Sequence, residues 1–179
     1  MHSISNITIK IFTAEQVKEI NKKIRTLPEK KQLPGEASGN VIKRGKFSYV
    51  NVLSMMDLLH PWLYECQKIN RSYFGYDIHW NFHLEKFNYN VYGKKGEYGW
   101  HVDGNPNSTP IDQKLTCILN LSEETYEGGD FYMTPKKEIC EFNSGEAIVF
   151  TSLIAHKVTP VTKGERITLT YWAEGPAWK

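Results

Sequence analysis

From position 46 onward, apolar and polar residues alternate in short runs, the two-residue period of strands whose successive side chains face opposite ways. FSYVNV is the first such run. In the longer WNFHLEKFNYNVY, alternation puts Phe82, Leu84, Lys86, Asn88, Asn90 and Tyr92 on one face and Phe87, Tyr89 and Val91 on the other. KLTCILNL, GDFYMT, EICEF, EAIVFT, HKVTPV and ERITLTYWA follow as further strands. The turn-forming stretches NPNSTP, EGG, PKK, NSGE and TKGE separate them.

The first third of the chain has a different period. Thr13 and Gln16 stand three apart in the form of a capping box, and Val17, Ile20, Ile24 and Leu27 then recur at helical spacing up to Pro28. Ser54 and Asp57 open a second helical region that Pro61 restarts or kinks and that runs to about Phe74-Gly75. Between the helices, PEKKQLPGEASGN (28–40) reads as a loop, either a solvated connector or a lid over a substrate. Two helices followed by many short strands predict one mainly β domain of the α+β kind, 1–179. Its 1–78 part is a helical and β support region with the N-terminal helices packed on one face. Residues 79–179 form a sandwich or barrel core.

Composition narrows the function classes. The net charge of +2 gives no basic field for nucleic acid or an anionic membrane surface. No apolar stretch is long enough to cross a bilayer, and MHSISNITIKIF lacks the form of a secretory signal. Cys66, Cys117 and Cys140 are odd in number and have no CxxC spacing, which speaks against a disulfide frame or a thiolate zinc site. A reducing, cytoplasmic setting is the expectation. Aromatic residues reach 13%, which suits a β-rich domain with a lined pocket.

The candidate chemistry begins at WHVDG. On a strand, His101 and Asp103 share a face, and two histidines with one carboxylate can hold iron(II) while leaving coordination positions open. His156, in VFTSLIAHKVTPV, is the candidate third ligand. His2 is terminal, His60 is helical, and His79 and His83 lack a suitably placed carboxylate. The same three ligand types also suit a zinc hydrolase. Arg166 follows the TKGE turn and opens the last strand, with Thr168, Thr170 and Trp172 on its face. If an open iron site takes 2-oxoglutarate, an arginine fork is the cation that its distal carboxylate needs, and the Thr168 hydroxyl can add a hydrogen bond.

The segments WHVDG, KLTCILNLSEETYEGGDFY and GEAIVFTSLIAHKVTPVTKGERITLTYW, together with KRGKFSYV and NRSYFGYDI before them, resemble the Fe(II)/2-oxoglutarate-dependent dioxygenases. Within that superfamily they are similar to the prolyl 4-hydroxylases and the PKHD-type hydroxylases. The resemblance implies a double-stranded β-helix (jelly-roll) core. It implies His101, Asp103 and His156 as iron ligands and Arg166 as the holder of the distal carboxylate of 2-oxoglutarate. Tyr92 matches a tyrosine that bonds the same co-substrate, with Tyr89 competing for that role because the spacing to His101 is one residue short. Tyr98 matches a pocket aromatic, and Ile118, Phe131, Val158 and Trp172 match wall positions. Asn120 stands where animal relatives carry tyrosine. Arg44, the 28–46 loop and the basic C-terminal end are candidate contacts for a peptide.

The implied reaction hydroxylates a C–H bond with Fe(II), 2-oxoglutarate and O2, gives succinate and CO2, and uses ascorbate as a reductant. The implied substrate is a prolyl residue of a protein or peptide. The alternatives are a free amino acid or other small molecule, or a metal-free binding module of the same fold.

Overall fold

A computed structural model describes residues 6–28, 30–31, 41–79, 86–104, 111–135 and 138–178. The expected lid segment therefore falls mostly outside the described residues, as do His2, His83 and positions 80–85 of the long strand. In chain order the elements are β1 (Asn6–Lys10), α1 (Ala14–Thr26), β2 (Lys30–Lys31), β3 (Lys43–Arg44), β4 (Lys46–Asn51), α2 (Met56–Ile69), β5 (Lys86–Tyr92), β6 (Glu97–His101) and β7 (Ile111–Asn120). Then come β8 (Glu127–Gly128), β9 (Phe131–Met133), β10 (Glu138–Ile139), β11 (Glu146–Thr151), β12 (His156–Val158), β13 (Val161–Lys163) and β14 (Arg166–Pro176).

The capping box at α1 forms as the sequence predicts. Thr13 Oγ1 accepts from the Gln16 N–H, and Gln16 Oε1 accepts from the Thr13 N–H. Val17, Ile20 and Ile24 make its buried face. The second helix differs from expectation. Ser54 does not cap it; a 3-10 turn over Leu53–Met55 precedes it, and Asn51 Oδ1 accepts from the Ser54 N–H. Pro61 lies inside α2 without ending it. Proline costs a helix one hydrogen bond, but Leu59, Trp62, Leu63, Cys66 and Ile69 bury a continuous apolar face against the sheet, and packing outweighs local propensity. A single π-helical turn, Asn70–Phe74, ends the region at Gly75.

Two antiparallel sheets face each other. The larger has the order β1-β11-β7-β14-β5-β4-β2 and the smaller β10-β9-β12-β6-β3, with β13 and β8 as a separate pair. HKVTPV is thus not one strand. Val158 ends β12 in the smaller sheet, and Val161 opens β13 elsewhere, with Pro160 between them.

Strand alternation sorts the larger sheet into two layers. Phe87, Tyr89, Leu115, Cys117, Leu119, Ile167, Leu169 and Tyr171 pack with α1 and α2 in the main core. Tyr92, Ile118, Ile148 and Phe150 point the other way and pack with Phe131, Met133 and Val158 of the smaller sheet. Asn88, Asn90 and Tyr92 of β5 and Arg166, Thr168 and Thr170 of β14 therefore lie between the sheets. All three cysteines are free thiols. Among the described residues, no helix is long and apolar enough to cross a membrane.

Candidate active site

The ends of β6 and β12 meet. His101 and His156 are direct partners in the antiparallel register, and their ring centroids are 4.1 Å apart. Asp103 lies two residues past the end of β6, in a bend, and not on the strand as its spacing predicts. Its N–H and that of Gly104 both donate to the Ser152 carbonyl, at 3.1 and 2.9 Å, which turns the carboxylate toward the histidines. His101 Nε2 lies 3.5 Å from Asp103 Oδ1, and His156 Nε2 lies 3.5 Å from Asp103 Oδ2. One ligand atom from each of the three residues falls within 4.8 Å of the others.

The backbone fixes which nitrogen of each ring is free. His101 Nδ1 sits 2.8 Å from the Gly99 carbonyl, and His156 Nδ1 sits 2.9 Å from the Ile154 carbonyl. A carbonyl only accepts, so each Nδ1 carries a proton, and each ring turns its Nε2 inward, the nitrogen that a metal would take. Burial holds His156 below the usual imidazole range, with Asp103 pulling the other way. Burial alone would raise Asp103. His156, His101 and the Thr116 hydroxyl outweigh it and hold the carboxyl well below the usual range. Thr116 Oγ1 donates to Asp103 Oδ2 at 2.7 Å. Tyr98 stacks on His101 with centroids 3.5 Å apart. Burial, with the Asp103 charge adding to it, keeps the Tyr98 phenol protonated.

The three residues line a pocket of about 580 Å³ between the sheets. Its walls also include Tyr92, Tyr98, Ile118, Phe131, Val158, Arg166, Thr168 and Trp172. Arg166 is 1% exposed, and among the described residues its Nη2 has no hydrogen-bond partner. A buried guanidinium with an open N–H is a poor resting state for a protein unless an anion completes it. Its Cζ lies 5.6 Å from the Tyr92 ring centroid. Burial pushes the Tyr92 phenol up to about 12, with Arg166 opposing the shift and Asp103 adding to it, so the O–H stays a donor. Two N–Hs and a phenol donor at one end of the pocket, and two lone-pair nitrogens with a carboxylate on its wall, suit an anionic chelator spanning to a metal.

The sequence model of the 2OG-Fe(II) oxygenase superfamily matches residues 87–174, a span that contains all of these side chains. The match takes in just under half of the chain. A PKHD-type hydroxylase of Janthinobacterium sp. (strain Marseille) is 36% identical over 94 residues, covering 48% of this chain and 42% of that protein. The chain thus aligns with less than half the length of this superfamily relative. Among solved structures, the 2OG complex of a viral collagen prolyl hydroxylase from Paramecium Bursaria Chlorella virus-1 has a TM-score of 0.73 at 15% identity, over 96% of this chain and 97% of that one. A Trichoplax adhaerens prolyl hydroxylase in complex with a hypoxia inducible factor peptide fragment has a TM-score of 0.69 at 17% identity, over 94% and 83%. At such identities these two likenesses speak for the jelly-roll fold.

Against that superfamily pattern, three sequence-based site residues need correction. Tyr89 is on the helix-facing side of β5, and its hydroxyl donates to Asn21 Oδ1 at 2.9 Å, away from the pocket. Asn120 faces inward but beyond the pocket's end. Its amide is used by the Phe142 carbonyl and the Ser122 N–H, and it lines a second cavity of about 620 Å³ on the far side of Arg166. Arg44 is exposed and paired with Glu97 at 2.7 Å; its neighbour Lys43 lines the pocket instead. The sequence reading assigned no role to Asn88, Asn90, Thr116 or Thr170. Strand parity already placed Asn88 and Asn90 beside Tyr92, and two asparagines on an inward face were the available signal.

Proposed function

We propose that this protein is an Fe(II)- and 2-oxoglutarate-dependent dioxygenase that hydroxylates a C–H bond, with a prolyl residue of a protein or peptide as substrate and succinate and CO2 as co-products. The observation that carries the reading is the open Nη2 of buried Arg166, which shares one pocket with His101, Asp103 and His156. A zinc hydrolase or a metal-free binding module gives that arginine nothing to do.

In this reading His101 Nε2, His156 Nε2 and Asp103 would hold Fe(II), which when bound supplies oxygen activation at the expense of 2-oxoglutarate. Arg166 presents its fork to the distal carboxylate, and Tyr92 donates its O–H to the same group. Thr116 and the Ser152 carbonyl orient Asp103, and the Gly99 and Ile154 carbonyls orient the two imidazoles. Ile118, Phe131 and Val158 keep this end of the pocket apolar and exclude water. The peptide substrate is supported by the prolyl hydroxylases of the same fold, one of them crystallised on a peptide.

The test is an anaerobic titration. Fe(II) and 2-oxoglutarate together give a weak visible charge-transfer band with the wild-type protein. Arg166→Ala weakens 2-oxoglutarate binding at least ~30-fold and leaves metal affinity within a few-fold, because a buried charge partner is lost. Arg166→Lys restores part of it, since the charge remains but the fork does not. Unchanged 2-oxoglutarate affinity in Arg166→Ala removes the arginine's role, and no band in the wild type removes the reaction.

A further inference from the structure

The pocket has a second set of unpaired polar atoms, at the opposite end from Arg166. Asn88 is 1% exposed and lines the pocket, yet among the described residues neither its Oδ1 nor its Nδ2 has a hydrogen-bond partner. The Nε1–H of Trp172, on the same wall, also has no partner among the described residues. Asn90, two residues on, makes the contrast clear. It faces the same pocket, but its Nδ2 donates to the Asn88 carbonyl and to Thr170 Oγ1, each at 3.2 Å. Because both amide atoms of Asn88 are open, the observation does not depend on which of the two is oxygen.

Position along the strands says which ligand these atoms serve. Arg166 pairs with Tyr92 in the β14–β5 register, and Thr170 pairs with Asn88. Asn88 is thus four residues from the Arg166–Tyr92 end, about 13 Å along the strand. That is well beyond the reach of a five-carbon dicarboxylate anchored on Arg166. Trp172 is across from Thr116, the residue that holds Asp103, so these open atoms lie on the metal side of the pocket and past it.

A carboxamide with both atoms free offers one donor and one acceptor side by side. An extended peptide presents its complement, because the N–H and C=O of a single residue point to the same side and exchange both bonds with a facing partner. A prolyl nitrogen has no hydrogen, so the residue held cannot be the proline itself. We infer that Asn88 is a specificity-determining residue that clamps the backbone N–H and C=O of a residue flanking the target proline, with the Trp172 indole as a further donor to the peptide. The inference rests on the peptide reading given above.

The experiment uses the full chain loaded with Fe(II) and 2-oxoglutarate. Two synthetic pools of short prolyl peptides with random flanks are mixed in equal amounts. One pool carries ordinary amides, and the other carries N-methyl groups on the residues flanking proline. Under anaerobic conditions the wild type retains the ordinary pool about tenfold over the methylated one, as loss of one well-placed hydrogen bond implies. Asn88→Leu, which keeps the branched shape, and Asn88→Ser, in case leucine packs badly, retain the two pools equally. Equal retention by the wild type, or a preference that survives in a folded variant, overturns the assignment. Admitting air separates the two levels. If the wild type oxidises peptides of both pools alike by +16 Da, the peptide reading stands and Asn88 is dropped. If it consumes 2-oxoglutarate but oxidises neither pool, the peptide reading falls and takes the clamp with it.

Discussion

Thr116 contributes a single hydrogen bond to the site, and its placement gives that bond leverage. It is fully buried, donates to Asp103 Oδ2 at 2.7 Å, and lies 3.1 Å from the Ser152 hydroxyl. Partners of this kind fix a ligand's orientation and typically change metal affinity by about 10–100-fold when removed. Thr116→Val, which keeps the shape and removes the hydroxyl, therefore lowers affinity for Fe(II) or a Co(II) surrogate by about tenfold or more in a metal titration. An unchanged titration would mean that the Ser152 carbonyl alone positions Asp103. Residues of this kind are invisible in sequence, because a threonine in KLTCILNL reads as one more strand residue. His101, Asp103, His156 and Arg166 were legible because few roles other than a metal or anion site use those types together. Tyr92 and Tyr89 are three apart on one strand, so parity put them on opposite faces, and only Tyr92 shares its face with Asn88 and Asn90. Alternation was the better guide there than spacing to His101.

At the scale of elements, the turn between β8 and β9 shapes the arginine's chamber. Gly129 has φ of 66°, and a Cβ there would lie 2.9 Å from Val161 Cγ2 and 3.1 Å from Arg166 Cδ. Gly129→Ala adds left-handed backbone strain and presses on the arginine stem. It should lower thermal stability by about 1–2 kcal/mol and weaken 2-oxoglutarate binding while sparing the metal, a pattern that paired melting and binding curves would show. The longer strands β4, β5, β7, β11 and β14 were readable in advance, whereas β1, NITIK, alternates over five residues and was not read as a strand. The two-residue strands β2, β3, β8 and β10 carry no period to read, and β8 falls inside the EGG stretch that the sequence marks as a turn. The break at Pro160 and the passage of α2 through Pro61 were decided by which surface each segment packs against. Local sequence does not contain that information.

Across the whole molecule, the candidate site exists only when distant parts of the chain are in register. His101 and His156 face each other across β6 and β12, and Arg166 faces Tyr92 across β14 and β5. Ligands that need this arrangement bind the folded state alone and stabilise it by mass action. Metal with 2-oxoglutarate at about 100 times their dissociation constants should raise the melting temperature by about 5–10 °C. His156→Ala should abolish the metal part of that shift. Calorimetry with and without each ligand separates the contributions.

The open Nη2 of Arg166 gives this linkage a biological side. A folded chain that keeps a half-satisfied cation in its interior is at its least secure when its co-substrate is scarce. On the proposed function, its lifetime against proteases would be set partly by the supply of 2-oxoglutarate. Digestion by a nonspecific protease should slow as 2-oxoglutarate is added to the wild type, and it should not respond in Arg166→Ala.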